Sequence, residues 1–86
     1  MASVIITVRL SNSFDYDMEV SPNIPCGELA LQVMDAIRAK EPGAVKHIGT
    51  MPCFSTSEGR RIPSEATLGK MGLWDGSILI LGSDGL

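Results

Sequence analysis

The sequence is poor in the residue types that most catalytic and metal sites need. Its 86 residues contain one histidine, His47, and two cysteines, Cys26 and Cys53, which lack CxxC spacing. These are too few ligands for an ordinary zinc site. His47 follows Lys46 without a serine or cysteine at a recognisable spacing, so we interpret it as a solvated loop residue. We therefore expect no metal, no cofactor and no enzymatic activity, and we expect both thiols to be reduced.

Basic residues and long apolar runs are also scarce. Seven Lys and Arg stand against ten Asp and Glu, for a formal net charge of -3. Nucleic acid and anionic membrane surfaces select for clustered positive charge, so neither is an expected partner. No stretch approaches the roughly 18–20 apolar residues that cross a bilayer, and residues 1–10 lack the basic start and the cleavage site of a signal peptide. We expect a cytoplasmic protein without direct membrane insertion.

What is present is typical of one small folded domain. Hydrophobic residues make up 44% of the chain and charged residues 20%, with a mean hydropathy of +0.19. This composition excludes extensive disorder, and the length allows one compact core. We place the domain at residues 1–82 and a flexible C-terminal tail at 83–86.

The N-terminal third predicts a β-hairpin. Residues 4–10 are rich in β-branched side chains, with apolar residues at every second position. Residues 11–13, Ser-Asn-Ser, supply turn chemistry. Residues 15–20 then alternate acidic and apolar side chains, which predicts a second strand with one face in water.

The spacing changes at Pro25, where apolar residues begin to recur at helical intervals. The predicted helix has about four turns and ends at the stop signal Glu41-Pro42-Gly43. Leu31 points away from the apolar stripe and is expected to be exposed. The stripe comprises Leu29, Ala30, Val33, Met34, Ala36 and Ile37.

The second half predicts short strands and no further helix. We place a third strand at residues 50–55, despite Pro52, and a very short strand at residues 60–62. Residues 69–72 lack the glycines and the Lys-Ser/Thr pair of a phosphate-binding loop and are interpreted as a turn. Residues 78–81 are apolar at every position, which indicates a central strand.

This order of elements favours an α+β fold of the β-grasp type. A hairpin, a helix, short strands and an apolar last strand form two layers, with one amphipathic helix across one face of a mixed sheet of four to five strands. We expect the first and last strands to pair in parallel at the centre, because a parallel pair needs a crossover such as this helix.

The sequence resembles ubiquitin-like proteins over nearly its whole length. Residues 18–22 resemble the end of the second ubiquitin strand, and residues 59–62 resemble its turn and short fourth strand. The resemblance implies a ubiquitin-like β-grasp. It places these residues on core positions: Cys26, Leu29, Val33, Leu68, Leu73, Leu79 and Leu81.

The C-terminus departs from conjugating members of this superfamily. Ubiquitin and the related sulfur carriers end in Gly-Gly, because a tail without side chains must enter an enzyme channel. This sequence ends in Asp84-Gly85-Leu86 and contains no Gly-Gly. We therefore expect a non-conjugating protein that acts by binding other proteins. The alternative is a modifier or sulfur carrier that is activated at its C-terminus after trimming.

Within the superfamily, the segment at residues 68–73, followed by Trp-Asp-Gly-Ser, is most similar to the YukD/EsaB family. These are small bacterial ubiquitin-like proteins associated with type VII secretion. The resemblance implies a cytosolic accessory factor whose partners are proteins, including secretion-machinery components. It leaves the oligomeric state open.

The candidate binding site is an apolar patch on the face of the sheet away from the helix. If Val4, Ile6 and Val8 face the helix, Ile5 faces outward, and the resemblance places Ile78 and Ile80 on the same outer face. Apolar residues together on an open sheet often mark a partner surface. We predict a docking patch of these three isoleucines, with Arg9 and Met51 at its rim; the alternatives are ordinary scattered exposure, or cover by a loop or a second copy.

Three further features have alternative interpretations. Asp15, Asp17 and Glu19 fit the wet side of an edge strand, and an acidic strip for a basic partner is the second possibility. Cys26 lies where a helix dipole lowers a thiol pKa, although its core position favours burial. Trp74 is expected to be partly buried, the other possibility being an exposed aromatic anchor.

Overall fold

A computed structural model describes residues 3–10, 15–46, 48–49 and 51–83. The strands are β1 (Val4–Arg9), β2 (Asp15–Val20), β3 (Pro52–Thr56) and β4 (Ile78–Ser83), and the α-helices are α1 (Cys26–Lys40) and α2 (Leu68–Met71). A 3-10 turn covers Pro42–Val45. The predicted turn at residues 11–13, His47, Thr50 and the last three residues of the predicted tail lie outside the described residues.

The four strands form one mixed sheet in the order β2-β1-β4-β3. The hairpin pair β1–β2 is antiparallel, the central pair β1–β4 is parallel, and β3 runs antiparallel to β4. The predicted α+β class, the mixed sheet and the central pairing of the first and last strands are confirmed.

Helix α1 begins immediately after a proline. Pro25 has the extended conformation of a residue that precedes a helix, with φ -54° and ψ 138°. The first N–H groups of a helix lack partners inside it. Here the Cys26 N–H donates to the Ala66 carbonyl at 2.7 Å and the Gly27 N–H to the Ser64 carbonyl at 2.9 Å. The loop before α2 therefore caps the start of α1 and fixes its position over the sheet.

The core lies between α1 and one face of the sheet. Every second residue of β1 is buried, as are Leu79 and Leu81 of β4 and Phe54 of β3. The helix contributes its predicted stripe with one exception, because Ala36 is exposed. The predicted exposure of Leu31 is confirmed at 45%. The buried helix residues are Cys26, Leu29, Ala30, Val33, Met34 and Ile37.

Three predictions in the second half need correction. Strand β3 begins at Pro52 rather than at residue 50. Proline has no N–H to donate to a neighbouring strand, and the first position of a strand tolerates it. Residues 60–62 form only an isolated bridge, between Ser55 and Arg61, so the sheet has four strands.

The third correction concerns residues 68–71, which form a second helix rather than a turn. The Thr67 hydroxyl accepts a hydrogen bond from the Lys70 N–H at 3.2 Å, the usual arrangement of an N-cap. Gly72 ends the helix at a φ of 72°, a conformation that glycine adopts without strain.

The two cysteines differ in accessibility. Cys26 is buried at the start of α1, and this burial raises the pKa of its thiol. Cys53 lies on β3 and is half-buried. For Cys26, the effect of burial on the thiol pKa therefore outweighs the effect of the nearby helix N-terminus.

Truncation of a core leucine should cost far more stability than truncation of an exposed one. Leu79 is fully buried between β4 and the helix layer, so Leu79→Ala should lower the free energy of unfolding by about 2–5 kcal/mol. Leu31→Ala, the matched control on α1, should cost under about 1 kcal/mol. Urea unfolding measured by circular dichroism compares them, and equal losses would contradict the described core.

Thiol labelling should separate the cysteines. In the folded protein we expect Cys53 to react with a thiol reagent first and Cys26 only slowly, because a buried thiol with a raised pKa forms little thiolate. A Cys53→Ser variant should lose the fast phase, and in denaturant both thiols should react alike. Fast labelling of Cys26 in the folded variant would show that the start of α1 is open.

Candidate functional site

The sheet has a second face, opposite to α1, which we call the outer face. Strand register determines its membership, because paired residues on neighbouring strands point to the same side. Ile5 pairs with Glu19, Thr7 with Asp17 and Ile78, and Arg9 with Asp15 and Ile80. Ile80 in turn pairs with Ser55 of β3. Continued alternation gives this membership: Ile5, Thr7, Arg9, Asp15, Asp17, Glu19, Cys53, Ser55, Ile78 and Ile80.

The three predicted isoleucines lie on this face but do not form a continuous row. Ile5 is 53% exposed, whereas Ile78 and Ile80 are half-buried. Thr7 lies beside Ile78 and Arg9 beside Ile80, so polar side chains separate Ile5 from Ile80 along β1. Ile5 and Ile78 are neighbours on the diagonal, which is within reach of long side chains. The face therefore alternates apolar and polar contacts.

The structure does not bring Met51 to the isoleucine patch. Met51 immediately precedes β3, whose first residues pair with the last residues of β4, while Ile5 lies near the opposite end of the sheet. Met51 is 66% exposed and lines a cavity of about 160 Å³ between α1 and β3, together with Leu31 and Ile62. The predicted place of Met51 at the rim is therefore wrong, whereas the binding role of Ile5, Ile78, Ile80 and Arg9 stays a prediction.

A turn at residues 74–77 is hydrogen bonded to β1 beside Ile5. The Ile5 N–H donates to Asp75 Oδ1 at 2.7 Å, and the Ile5 carbonyl accepts from the Gly76 N–H at 2.9 Å. Gly76 has a φ of 88°, which favours glycine at this position. The turn therefore closes the end of the outer face next to Ile5.

This turn carries residues that the predicted site omits. Trp74 is 58% exposed, more than the expected partial burial, and its neighbour Asp75 is anchored to Ile5. The Asp-Gly pair before the last strand indicated a turn but not where it docks, because docking depends on the register between β1 and β4.

Carboxylates dominate the β2 side of the outer face. Arg9 forms a two-pronged ion pair with Asp15, with N···O distances of 3.0 and 3.1 Å. Hydrogen bonding to Arg9 lowers the pKa of Asp15, and the same bond raises the pKa of Arg9. Asp17 accepts a hydrogen bond from the Thr7 hydroxyl at 2.8 Å, and Glu19 accepts one from the Ser3 hydroxyl.

The opposite side of β2 is tied to the end of the helix layer. The Tyr16 hydroxyl donates to Glu41 Oε1 at 2.8 Å, and this bond to a carboxylate raises the pKa of Tyr16. The bond links edge strand β2 to Glu41, the residue that follows α1. It therefore helps to hold the strand that carries the acidic residues of the outer face.

Metal-ligand groupings and membrane-spanning helices are absent from the described residues. Within this part of the chain, no three side chains of His, Cys, Asp or Glu come together in a way that could hold a metal ion. In the same residues, no helix has the length and apolar character needed to cross a membrane. The outer face can supply apolar contact at Ile5 and charge at β2.

Removal of Arg9 should change the titration of Asp15. With Arg9→Met we expect the pKa of Asp15 to rise towards the ordinary carboxyl value, because the main cause of its depression is gone. The folded-state pKa is the lower one, so the pair stabilises the fold above the ordinary carboxyl pKa and this contribution is lost as the pH falls through the depressed value. Titration of the Asp15 carboxyl by NMR measures both states. Arg38→Met removes an exposed arginine that pairs with Asp35 and should leave Asp15 unchanged.

Comparison with solved structures shows what this arrangement resembles. The EccD5 ubiquitin-like domain from Mycobacterium xenopi matches with a TM-score of 0.78 and 13% identity, over 94% of this chain and 93% of that one. The ubiquitin-like domain of the Mycobacterium tuberculosis type VII secretion system protein ECCD1 matches with a TM-score of 0.70 and 20% identity, over 96% and 100% of the two chains. A chain of an ESX-5 inner membrane complex matches with a TM-score of 0.76 and 15% identity, over 92% of this chain and 20% of that longer one.

No protein-family profile matches the chain, and no curated protein sequence matches it significantly. At identities of 13–20%, the structural matches establish the fold. The predicted fold is confirmed: the chain has the ubiquitin-like β-grasp fold.

Proposed function

We propose that this protein is a non-conjugating ubiquitin-like module that binds protein components of a type VII secretion assembly through the outer face of its sheet. The observation that carries the proposal is the structural match to the EccD5 ubiquitin-like domain, which extends over nearly all of both chains. The proposed module acts by binding and not as an enzyme, on the cytoplasmic side of the membrane.

The distribution of apolar surface supports binding through the outer face. Helix α1 covers one face of the sheet, and the described residues place no helix over the other. Ile5, in the first strand of the sheet, is 53% exposed there. Burial of a fully exposed isoleucine side chain is favourable by about 1.5–3 kcal/mol, so covering the exposed half of Ile5 favours a complex by roughly half that amount.

The finer proposal is a YukD-like accessory factor. The matched ESX-5 chain is about five times longer than the region that aligns, so in that protein the matching region is one part of a larger chain. The segment Leu68–Leu73 and the turn after it carry the resemblance to the YukD/EsaB family. A small ubiquitin-like protein of this kind would contact the assembly through its surface.

Substitutions on the outer face test the proposal. Ile5→Thr and Ile80→Thr remove apolar contact while keeping a β-branched side chain and adding no charge. With a tagged protein expressed in its source organism, we expect the double variant to recover at least about tenfold less of the secretion components than the wild type, a change of about 1.4 kcal/mol. Leu31→Gln, which removes an exposed leucine from α1, should recover them normally.

Two results would contradict this function. If the double variant, with its fold verified by circular dichroism, recovers as much of the secretion components as the wild type, the outer face does not bind them. A chain shortened after Gly82 or Gly85 and joined to another protein, detected by mass spectrometry in native cells, would show that the protein is a modifier.

A further inference from the structure

The apolar surface around Ile5 is surrounded by negative charge. Ile5 and Trp74 are both more than half exposed, and the turn that carries Trp74 is hydrogen bonded to the Ile5 backbone. Glu19 is the cross-strand partner of Ile5, and Asp75 is bonded to its N–H. Asp17 follows at the next outward position of β2. We call these five residues the Ile5 patch.

Neutral groups hold the three carboxylates of the Ile5 patch in position. Each accepts a hydrogen bond from a neutral donor: Asp17 from the Thr7 hydroxyl, Glu19 from the Ser3 hydroxyl and Asp75 from the Ile5 N–H. Neutral donors orient a carboxylate without cancelling its charge. The basic residue of the same face, Arg9, is bonded instead to Asp15, at the far end of the hairpin pair.

We infer that the Ile5 patch binds a basic amphipathic segment of a partner protein, in which lysine or arginine residues flank an aliphatic or aromatic side chain. This inference rests on the proposed function, since it names the chemistry of the partner at the same outer face. The apolar residue of the segment packs against Ile5 and Trp74, and its basic neighbours face Asp17, Glu19 and Asp75.

Charge and apolar burial together disfavour two other kinds of partner segment, an acidic one and a purely basic one. An acidic segment would place like charges against three carboxylates, which disfavours the complex. A purely basic segment would leave Ile5 and Trp74 in water and would lose the apolar contribution. Because these are exposed charges, each pair should contribute about 1.5- to 5-fold in affinity, and salt should weaken the complex.

Synthetic peptides test the inference directly. Trp74 is the only tryptophan of the chain, so its fluorescence reports binding of peptides that contain none. The probe is a short peptide in which lysines alternate with leucines. The control peptides carry glutamate in place of lysine, or glycine in place of leucine. We expect only the first peptide to bind tightly, and its affinity to fall as sodium chloride is raised from about 50 to about 500 mM.

A matched pair of variants locates the charges that matter. Asp17→Asn with Glu19→Gln keeps shape and hydrogen-bonding oxygens but removes two charges of the Ile5 patch, and should weaken the lysine–leucine peptide about three- to tenfold. Glu58→Gln with Glu65→Gln removes two exposed charges elsewhere and should leave the affinity unchanged. Chemical-shift changes in the labelled protein should centre on β1, β2 and the turn at 74–77.

Specific outcomes overturn the inference. The inference is wrong if the lysine and glutamate peptides bind equally, or if both variant pairs weaken binding equally. It is also wrong if the chemical-shift changes centre on the cavity lined by Met51. Reversible dimerisation in sedimentation runs that is lost in Ile5→Thr would overturn it too, because a second copy would then occupy the patch.

The failure of this inference can be distinguished from failure of the proposed function. If Ile5→Thr with Ile80→Thr loses the secretion components but Asp17→Asn with Glu19→Gln retains them, the outer face binds a partner of other chemistry and only the inference fails. If the double isoleucine variant retains the components while the peptide results are as expected, the proposed function fails and the patch serves another basic partner.

Discussion

The parallel pairing of β1 with β4 is the contact on which the rest of the structure depends. Two adjacent parallel strands cannot be joined by a tight turn, so the chain between them must cross one face of the sheet, and α1 makes that crossing. The crossing buries the alternate residues of β1 and β4 against the helix. It also leaves the two antiparallel neighbours, β2 and β3, as the outer strands of the sheet.

The same arrangement leaves one face of the sheet without a helix over it among the described residues. A chain of 86 residues has material for one helix layer, and that layer is committed to the core side. The outer face can therefore be solvated only if polar side chains alternate with its apolar ones. Asp15, Asp17 and Glu19 do this on β2, and Thr7 and Arg9 on β1. Exposed Ile5 stands out against this polar background.

Most of the fold could be predicted from local sequence patterns. The two-residue period of β1 and the acid–apolar alternation of β2 predicted those strands, and the helical spacing after Pro25 predicted α1, because each pattern records which side of an element meets the core. Helix α2 has four residues, of which only Leu68 is buried, and it is bounded by the Thr67 cap and Gly72. Because it is about one turn long, it shows no helical periodicity in the sequence. The segment at residues 60–62 resembled a strand but pairs through one bridge only, which depends on the position of β3.

The candidate site was predictable only where it follows alternation. The outward direction of Ile5, Ile78 and Ile80 follows from the buried positions on either side of them. The separation of Met51 from Ile5, and the docking of the turn at 74–77, depend on which residues of distant strands are opposite each other. Such register is a property of the assembled sheet and is not encoded by any single segment.

The hydrogen bonds from Ile5 to Asp75 and Gly76 join residues about 70 positions apart in the sequence. The surface around Ile5 is therefore incomplete in a partly synthesised chain that contains the residues of β1 and β2 but not yet those of the turn at 74–77. Loss of order in the last strand would likewise separate the turn at 74–77 from Ile5, because that turn leads directly into β4. The proposed binding at the Ile5 patch would therefore require a domain whose folding is nearly finished.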